Sequence, residues 1–210
     1  MKSFLMIFVF VLSPLLVNSQ SLDIVDEITP FSEGLAAVRM GEKWGFVDSD
    51  GKLVIDFRDD LVWNKEVNAR ANDVTGIPYP IFKNGRCMIK QSLEDEGITV
   101  YGFINTEGET VIPPEYLNVT EFGQDYAVGI LLTKTFRGQN KFQLNIYEYK
   151  FSEVILDISG DIMLLIAQRD NILMDKRRYE LPGLTGKYLS KNLMAVKTNK
   201  NTWELRKINL

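Results

Sequence analysis

Histidine is absent from all 210 residues. That removes Ser-His-Asp and Cys-His nucleophilic machinery, along with the commonest zinc ligand sets. One cysteine, Cys87, leaves no intramolecular disulfide to form. It sits in the apolar-rich stretch "GRCMIK", which reads as a buried, inert thiol, because no histidine is available to activate it. Helical start and stop signals are scarce. Past the N-terminus no apolar run is long enough to span a bilayer. No motif asks for a metal or a cofactor, and none is expected.

The apolar run that does exist opens the chain. Lys2 precedes Phe4 to Val17, with Val17 and Ser19 placed as small or medium residues before a cleavage point. The run is shorter than the roughly 20 residues a membrane-spanning helix needs. This pattern reads as a secretory signal peptide over residues 1–19, cut between Ser19 and Gln20. No cysteine follows to carry a lipid. A secreted, periplasmic or otherwise extracellular protein is the expectation, with residues 20–210 as one domain large enough for a sizeable core.

Charge is divided along that domain. Residues 20–133 carry 9 basic and 20 acidic side chains, and residues 134–210 carry 14 and 8. The split suits either two faces with different partners or two halves that attract each other. The basic half is too sparse and too poor in interleaved aromatics for nucleic acid.

Self-similarity organises the rest. "FSEGLAAVRMGEKWGFVDSDGKLVIDF" (31–57) aligns with "FKNGRCMIKQSLEDEGITVYGFINTEGETVIPP" (82–114). "WGFVDSDGKLVI" and "YGFINTEGETVI" match over twelve positions, placing Trp44 on Tyr101. The spacing of 51 becomes 57 because six extra residues enter the first hairpin turn around "EDEG". The clear units are 31–57 and 82–121. Degenerate ones follow at 122–157, 158–181 and 189–208, the last placing Ala195-Val196 on Ala37-Val38 and Trp203 within one residue of the Trp44 position.

These residues carry a resemblance. "F-x-E-G-L-A-A-V", "K-W-G-F-V-D", "G-K-L-V-I" and the later Val111-Ile112-Pro113-Pro114-Glu115-Tyr116, with Phe122 beyond, resemble the bacterial WG-containing (KWG) repeat family. "VIDFRDD" replaces "VIPPEY" in the first unit, and Tyr101 replaces the tryptophan in the second. The resemblance implies a β-rich repeat array, usually extracytoplasmic or interaction-related, with no catalytic residues assigned to it.

The residues argue for the same class on their own. Short, half-alternating segments such as "LAAVR" and "GFVD" read as strands. "DSDG" and "NTEG" read as hairpin turns, with Asp or Asn bonding the turn backbone and Gly taking a positive φ. Pro113-Pro114 are expected to stop pairing, since neither donates to a ladder. "RDDLVWNKEV" leaves room for one short helix near 58–67. A lone unit cannot bury its apolar face, so units must stack and the last must cap. The expected fold is all-β: antiparallel hairpin or meander repeats in an open, curved array, with propeller-like closure as the alternative.

Candidate sites are few. Trp44, Tyr101 and Trp203 are either ligand-stacking aromatics or recurring packing residues. Recurrence favours packing, with their rings mostly buried. Asp48-Ser49-Asp50-Gly51 resembles the start of a calcium loop, but a strand follows where further oxygen ligands belong, so it reads as a turn. Asp56, Asp59, Asp60 and Glu94-Asp95-Glu96 supply carboxylates that could serve glycoside hydrolysis only at a defined separation. Run 94–96 reads as a solvated loop. Asn118 in "NVT" is a glycosylation acceptor only in a eukaryotic secretory pathway. Lys176-Arg177-Arg178 reads as a solvated basic turn. The reading favoured is an exported, non-enzymatic module for an unidentified protein or cell-envelope partner. The rival is an extracytoplasmic glycan binder or glycoside-hydrolase-like protein using loop carboxylates and aromatics.

Overall fold

The computed structural model describes residues 24–172 and 179–210. The leader, its Ser19–Gln20 junction and Lys176-Arg177-Arg178 lie outside the described residues. Thirteen strands run in order: β1 (Glu27–Ile28), β2 (Ala36–Met40), β3 (Lys43–Val47), β4 (Leu53–Arg58), β5 (Cys87–Leu93), β6 (Ile98–Ile104), β7 (Thr110–Val119), β8 (Tyr126–Gln139), β9 (Asn145–Asp157), β10 (Ile162–Ile172), β11 (Gly186–Ser190), β12 (Leu193–Lys197) and β13 (Trp203–Lys207). They form three antiparallel meanders, β1–β4, β5–β10 and β11–β13. No sheet closes into a barrel among the described residues, so the arrangement is all-β and open. The one helical element there is a 3₁₀ turn at Val74–Gly76. The helix allowed near 58–67 does not form; residues 60–62 are extended, with Val62 N–H on Met88 O and Asp60 O accepting from Lys90.

Two turn types recur. Each unit opens on a two-residue turn, closed by Ser32 and Leu35, Lys83 and Arg86, and Gly123 and Tyr126. Ser190 pairs Leu193 in the same way in the last sheet. The second type follows an Asp or Asn whose side-chain oxygen accepts two backbone N–H groups. Asp48 takes those of Asp50 and Lys52, Asn105 those of Glu107 and Glu109, Asn140 those of Phe142 and Leu144, and Asp157 those of Ser159 and Asp161. The fourth residue of each has positive φ, as at Gly51, Gly108, Gln143 and Gly160. The Asp157 turn joins β9 to β10 as Asp48 joins β3 to β4. Residues 158–172 therefore complete the third unit rather than opening one of their own.

The glycine of the Trp-Gly pair has a backbone role. From Phe46 to Trp44 the partner strand advances from Ile55 to Arg58, three residues against two. From Phe103 to Tyr101 it advances from Ile112 to Tyr116, four against two. The extra residues bulge toward the glycine. A methyl at Gly45 would stand 2.8 Å from Ile55 O, and one at Gly102 would stand 2.3 Å from Ile112 O and 2.7 Å from Pro114 N. Pro113-Pro114 thus do not end the strand. They occupy the bulge, where no ladder donor is required, and pairing resumes at Tyr116.

Past each bulge the same strand crosses to the next unit. The second half of β7 pairs β8, Asn118 opposite Ile130 and Val119 opposite Gly129. Residues 60–62 do the same for β5 through Leu61 and Ile89. Threonine marks the crossing at two points. Thr29 hydroxyl accepts Ala37 N–H at 3.0 Å, and Thr120 hydroxyl accepts Val128 N–H at 3.1 Å.

Core packing repeats with the units. Phe46 meets Phe82 at 4.7 Å between ring centroids, and Phe103 meets Phe122 at 4.9 Å. In each pair the phenylalanine after Trp-Gly or Tyr-Gly meets the one that opens the next unit. Edge-inclined aromatic pairs of this kind add about 1 kcal/mol beyond their burial. The opening turns stack as well: the Glu33 carboxylate accepts Asn84 and Gly85 N–H, and Asn84 Nδ2 donates to Phe122 O.

Replacing Gly102 by Ala is expected to destabilise the chain by about 2–4 kcal/mol, the range of severe packing or backbone clashes, and Gly45→Ala by less. Gly123→Ala, where a methyl meets nothing within 4 Å, should fall within about 0.5 kcal/mol of the parent. Urea unfolding of the three variants measures the order. Equal midpoints would remove the bulge as the reason for glycine.

Candidate functional site

Strand register places one position in common across four units. Trp44 lies opposite Arg39, Tyr101 opposite Lys90, Glu153 opposite Ile130 and Trp203 opposite Lys197. Trp44 is 1% exposed and packs edge-on against Trp63 at 5.8 Å. The Arg39 guanidinium lies 5.8 Å from its centroid, itself fixed by Glu27 at 3.1 Å. Trp44 Nε1 has no acceptor. Tyr101 is half-buried, and burial followed by the nearby Asp73 carboxylate pushes its hydroxyl pKa up. Trp203 departs from the expectation of burial, at 53% exposed. The last sheet stops at β13 among the described residues, so no bulged strand covers it as β4 covers β3.

The third unit puts a carboxylate at this position, which the sequence alignment missed. Glu153 is buried. Its Oε1 accepts N–H from Thr185 and Gly186 at 2.6 Å each, and Oε2 accepts the Thr185 hydroxyl. The residue therefore fastens the start of β11 to β9. Counting back four residues from the Asp157 turn, as Trp44 stands to Asp48, would have found it.

Beside the first Trp-Gly unit a cleft of about 410 Å³ is lined by Glu27, Arg39, Glu42, Trp63, Lys65 and Tyr79, among others. Trp63 and Tyr79 come from the segment between units, outside the repeat, which is why alignment did not select them. Arg39 and Lys65 lie 5.9 and 5.6 Å from the Trp63 centroid. Glu27 pairs Arg39, and Glu42 pairs Lys65. The loop is set by Asn64, whose Nδ2 donates to Val74 O and Ile77 O. A shallower opening of about 470 Å³ gathers Asp56, Asp59, Asp60 and Glu107. There Arg58 grips Asp60 with two nitrogens, at 2.5 and 2.7 Å, and donates to Gly108 O.

The remaining candidates resolve individually. Asp48 commits one carboxylate oxygen to its own turn, as the turn reading requires. In the 94–96 run, Glu96 is not simply solvated. Lys134 and Tyr149 bond it, and the Lys134 ammonium holds its carboxyl below the usual range. Asn118 is fully buried, with Nδ2 donating to Asp73 Oδ2 and Pro182 O, so the folded chain offers no glycan acceptor there. Its Oδ1 has no partner. No group of three His, Cys, Asp or Glu among the described residues could hold a metal ion. No helix there is long and apolar enough to cross a membrane.

A second feature stands out from the sheet. Among the described residues, β8 and β9 pair only with each other beyond Leu131 and Tyr149. This two-stranded ribbon exposes Phe136, Phe142, Leu144, Ile146 and Tyr147, with Phe142 71% exposed. Lys134 lies 4.2 Å from the Tyr147 centroid and pairs with Glu96 near the ribbon's base, and Arg137 pairs with Glu148 farther along it.

Two outcomes follow from these contacts. Glu153→Ala leaves three donors unpaired and should cost about 3 kcal/mol, near the top for a charged acceptor. The loss should show in urea unfolding, with faster proteolysis of residues 186–207; an unchanged midpoint would mean that Glu153 does not hold the last sheet. Cys87 is buried and burial pushes its thiol pKa up. A disulfide-exchange reagent should therefore react in denaturant and not with the native chain; native-state labelling at the unfolded rate would contradict this environment.

The WG-containing repeat family model matches residues 24–44, 44–58 and 101–128. Neither the search of curated proteins nor that of solved structures finds a match. The matched segments include Trp44-Gly45 and run from Tyr101-Gly102 through the Pro-Pro bulge into the opening of the third unit. Both glycine-facing bulges lie inside those segments, and over them, less than half of the chain, the sequence is similar to WG-containing repeats.

Proposed function

We propose that the chain is an exported, non-enzymatic β-repeat protein whose projecting β8–β9 ribbon engages a protein partner of the cell envelope. The observation that carries this reading is the exposed apolar surface of the ribbon. Five large apolar side chains stand exposed on a two-stranded projection, Phe136 and its cross-strand partner Tyr147 on one face, Ile146 on the other, and Phe142 and Leu144 at the tip, which is apolar surface that a partner would cover. The leader-like N-terminus supports export. The absence of histidine throughout the sequence supports a binding role by narrowing the catalytic options.

A second reading is favoured by the Trp63–Tyr79 cleft. Aromatic walls with carboxylates of opposite-charge partners suit a glycan or an extended peptide. Arg39 and Lys65 already lie over the Trp63 ring, which competes with sugar stacking and ranks this reading second.

N-terminal sequencing of the exported protein should begin at Gln20. In cross-linking from the exported fraction, the parent should retain one stoichiometric protein. Phe142→Ser with Leu144→Ser should lose it by at least about thirtyfold, as removal of a buried anchor worth about 2 kcal/mol would. Retention by that variant, together with glycan-array binding abolished by Trp63→Ala, would replace the first reading by the second.

A further inference from the structure

We infer that the chain associates head to tail with a second copy, the first unit of one copy docking on the exposed β13 edge of another. The inference is independent of the ribbon. It rests on what the inner units do and the two ends leave undone.

Between inner units the contact is fixed. The residue two after the WG position packs on the phenylalanine that opens the next unit: Phe46 on Phe82, Phe103 on Phe122. Phe82 and Phe122 are buried in consequence. At the first unit the opening phenylalanine is Phe31, and it is 54% exposed. At the last unit the residue two after Trp203 is Leu205, opposite Ala195 as Phe46 is opposite Ala37. Leu205 is 65% exposed. Each end thus presents one half of the contact that joins the inner units.

The backbone is open in the same way. Among the described residues β13 is an edge strand, whereas β3 and β6 are each covered by a bulged strand that continues into the next unit. β1, the equivalent of such a continuation, enters the first sheet at its edge, with Ile28 exposed. An edge that would be covered in any inner unit is a natural acceptor for another strand.

Charge selects the occupant. Between residues 24 and 42 there are four acidic residues, Asp26, Glu27, Glu33 and Glu42, against one basic, Arg39, which pairs with Asp26 and Glu27. Between 187 and 207 there are six basic residues against one acidic, Glu204. Like ends repel and unlike ends attract, so a second copy in the same sense is favoured over a two-fold pairing of identical ends. The contact is heterologous. It can extend through further copies or close into a ring.

Two variants test it without touching the core, because Phe31 and Leu205 are both exposed. Sedimentation of the purified chain from about 1 to about 100 µM, a range that populates contacts of modest affinity, should show mass rising beyond the monomer and falling back with added salt. Phe31→Glu alone and Leu205→Glu alone should each stay monomeric while keeping the parent circular dichroism. Mixed one to one, they should form a dimer and nothing larger, because only one competent junction remains between them. A parent that stays monomeric, a dimer insensitive to both substitutions, or a mixture that remains monomeric would each overturn the proposal.

Discussion

A glycine pressed against a bulged backbone is the constraint on which this fold rests. At Gly45 and Gly102 the neighbouring strand must take extra residues, and any Cβ would collide with a carbonyl. The bulge redirects that strand, so it finishes one unit and begins pairing with the next. Everything that links units follows from this crossing. The opening phenylalanine reaches back to the preceding unit, and the turns stack through Glu33 and Asn84. Without the bulge the strand would continue in register with its first partner only.

The aromatic that precedes the glycine is less constrained, and its variation is informative. Trp44 is sealed by Trp63 and Arg39. Tyr101 is half-covered, Glu153 has become a buried acceptor that holds the last sheet, and Trp203 is about half exposed. One backbone position therefore serves four local environments. What persists is the register that places the residue opposite Arg39, Lys90, Ile130 or Lys197. The side chain follows from whichever segment covers it.

Much of this was legible in the sequence, and the failures have physical causes. The twelve-residue match of "WGFVDSDGKLVI" with "YGFINTEGETVI" located two units, their strands and their turns, because Asp48 and Asn105 advertise the same hydrogen bonding. Pro113-Pro114 misled because the missing donors of proline exclude a regular ladder but not a bulge. Glu153 escaped notice because nothing in its chemistry resembles tryptophan. Trp63 and Tyr79 lie in a non-repeating segment, where periodicity carries no signal. The exposure of Trp203 depends on a strand that is not beside it, and no local pattern reports that.

Strand sharing also governs where this chain can change length. β7 serves β6 with its first half and β8 with its second, so one residue inserted within it would reverse the inward and outward faces of the half that follows and misalign two units at once. Segments that belong to a single unit escape this coupling. The additional residues around "EDEG" sit in a hairpin tip, the long β8–β9 extension lies beyond the neighbouring strands, and the segment bearing Trp63 and Tyr79 falls after one crossing and before the next opening. Elaboration is channelled to those places, which are also where the chain carries its cleft and its ribbon.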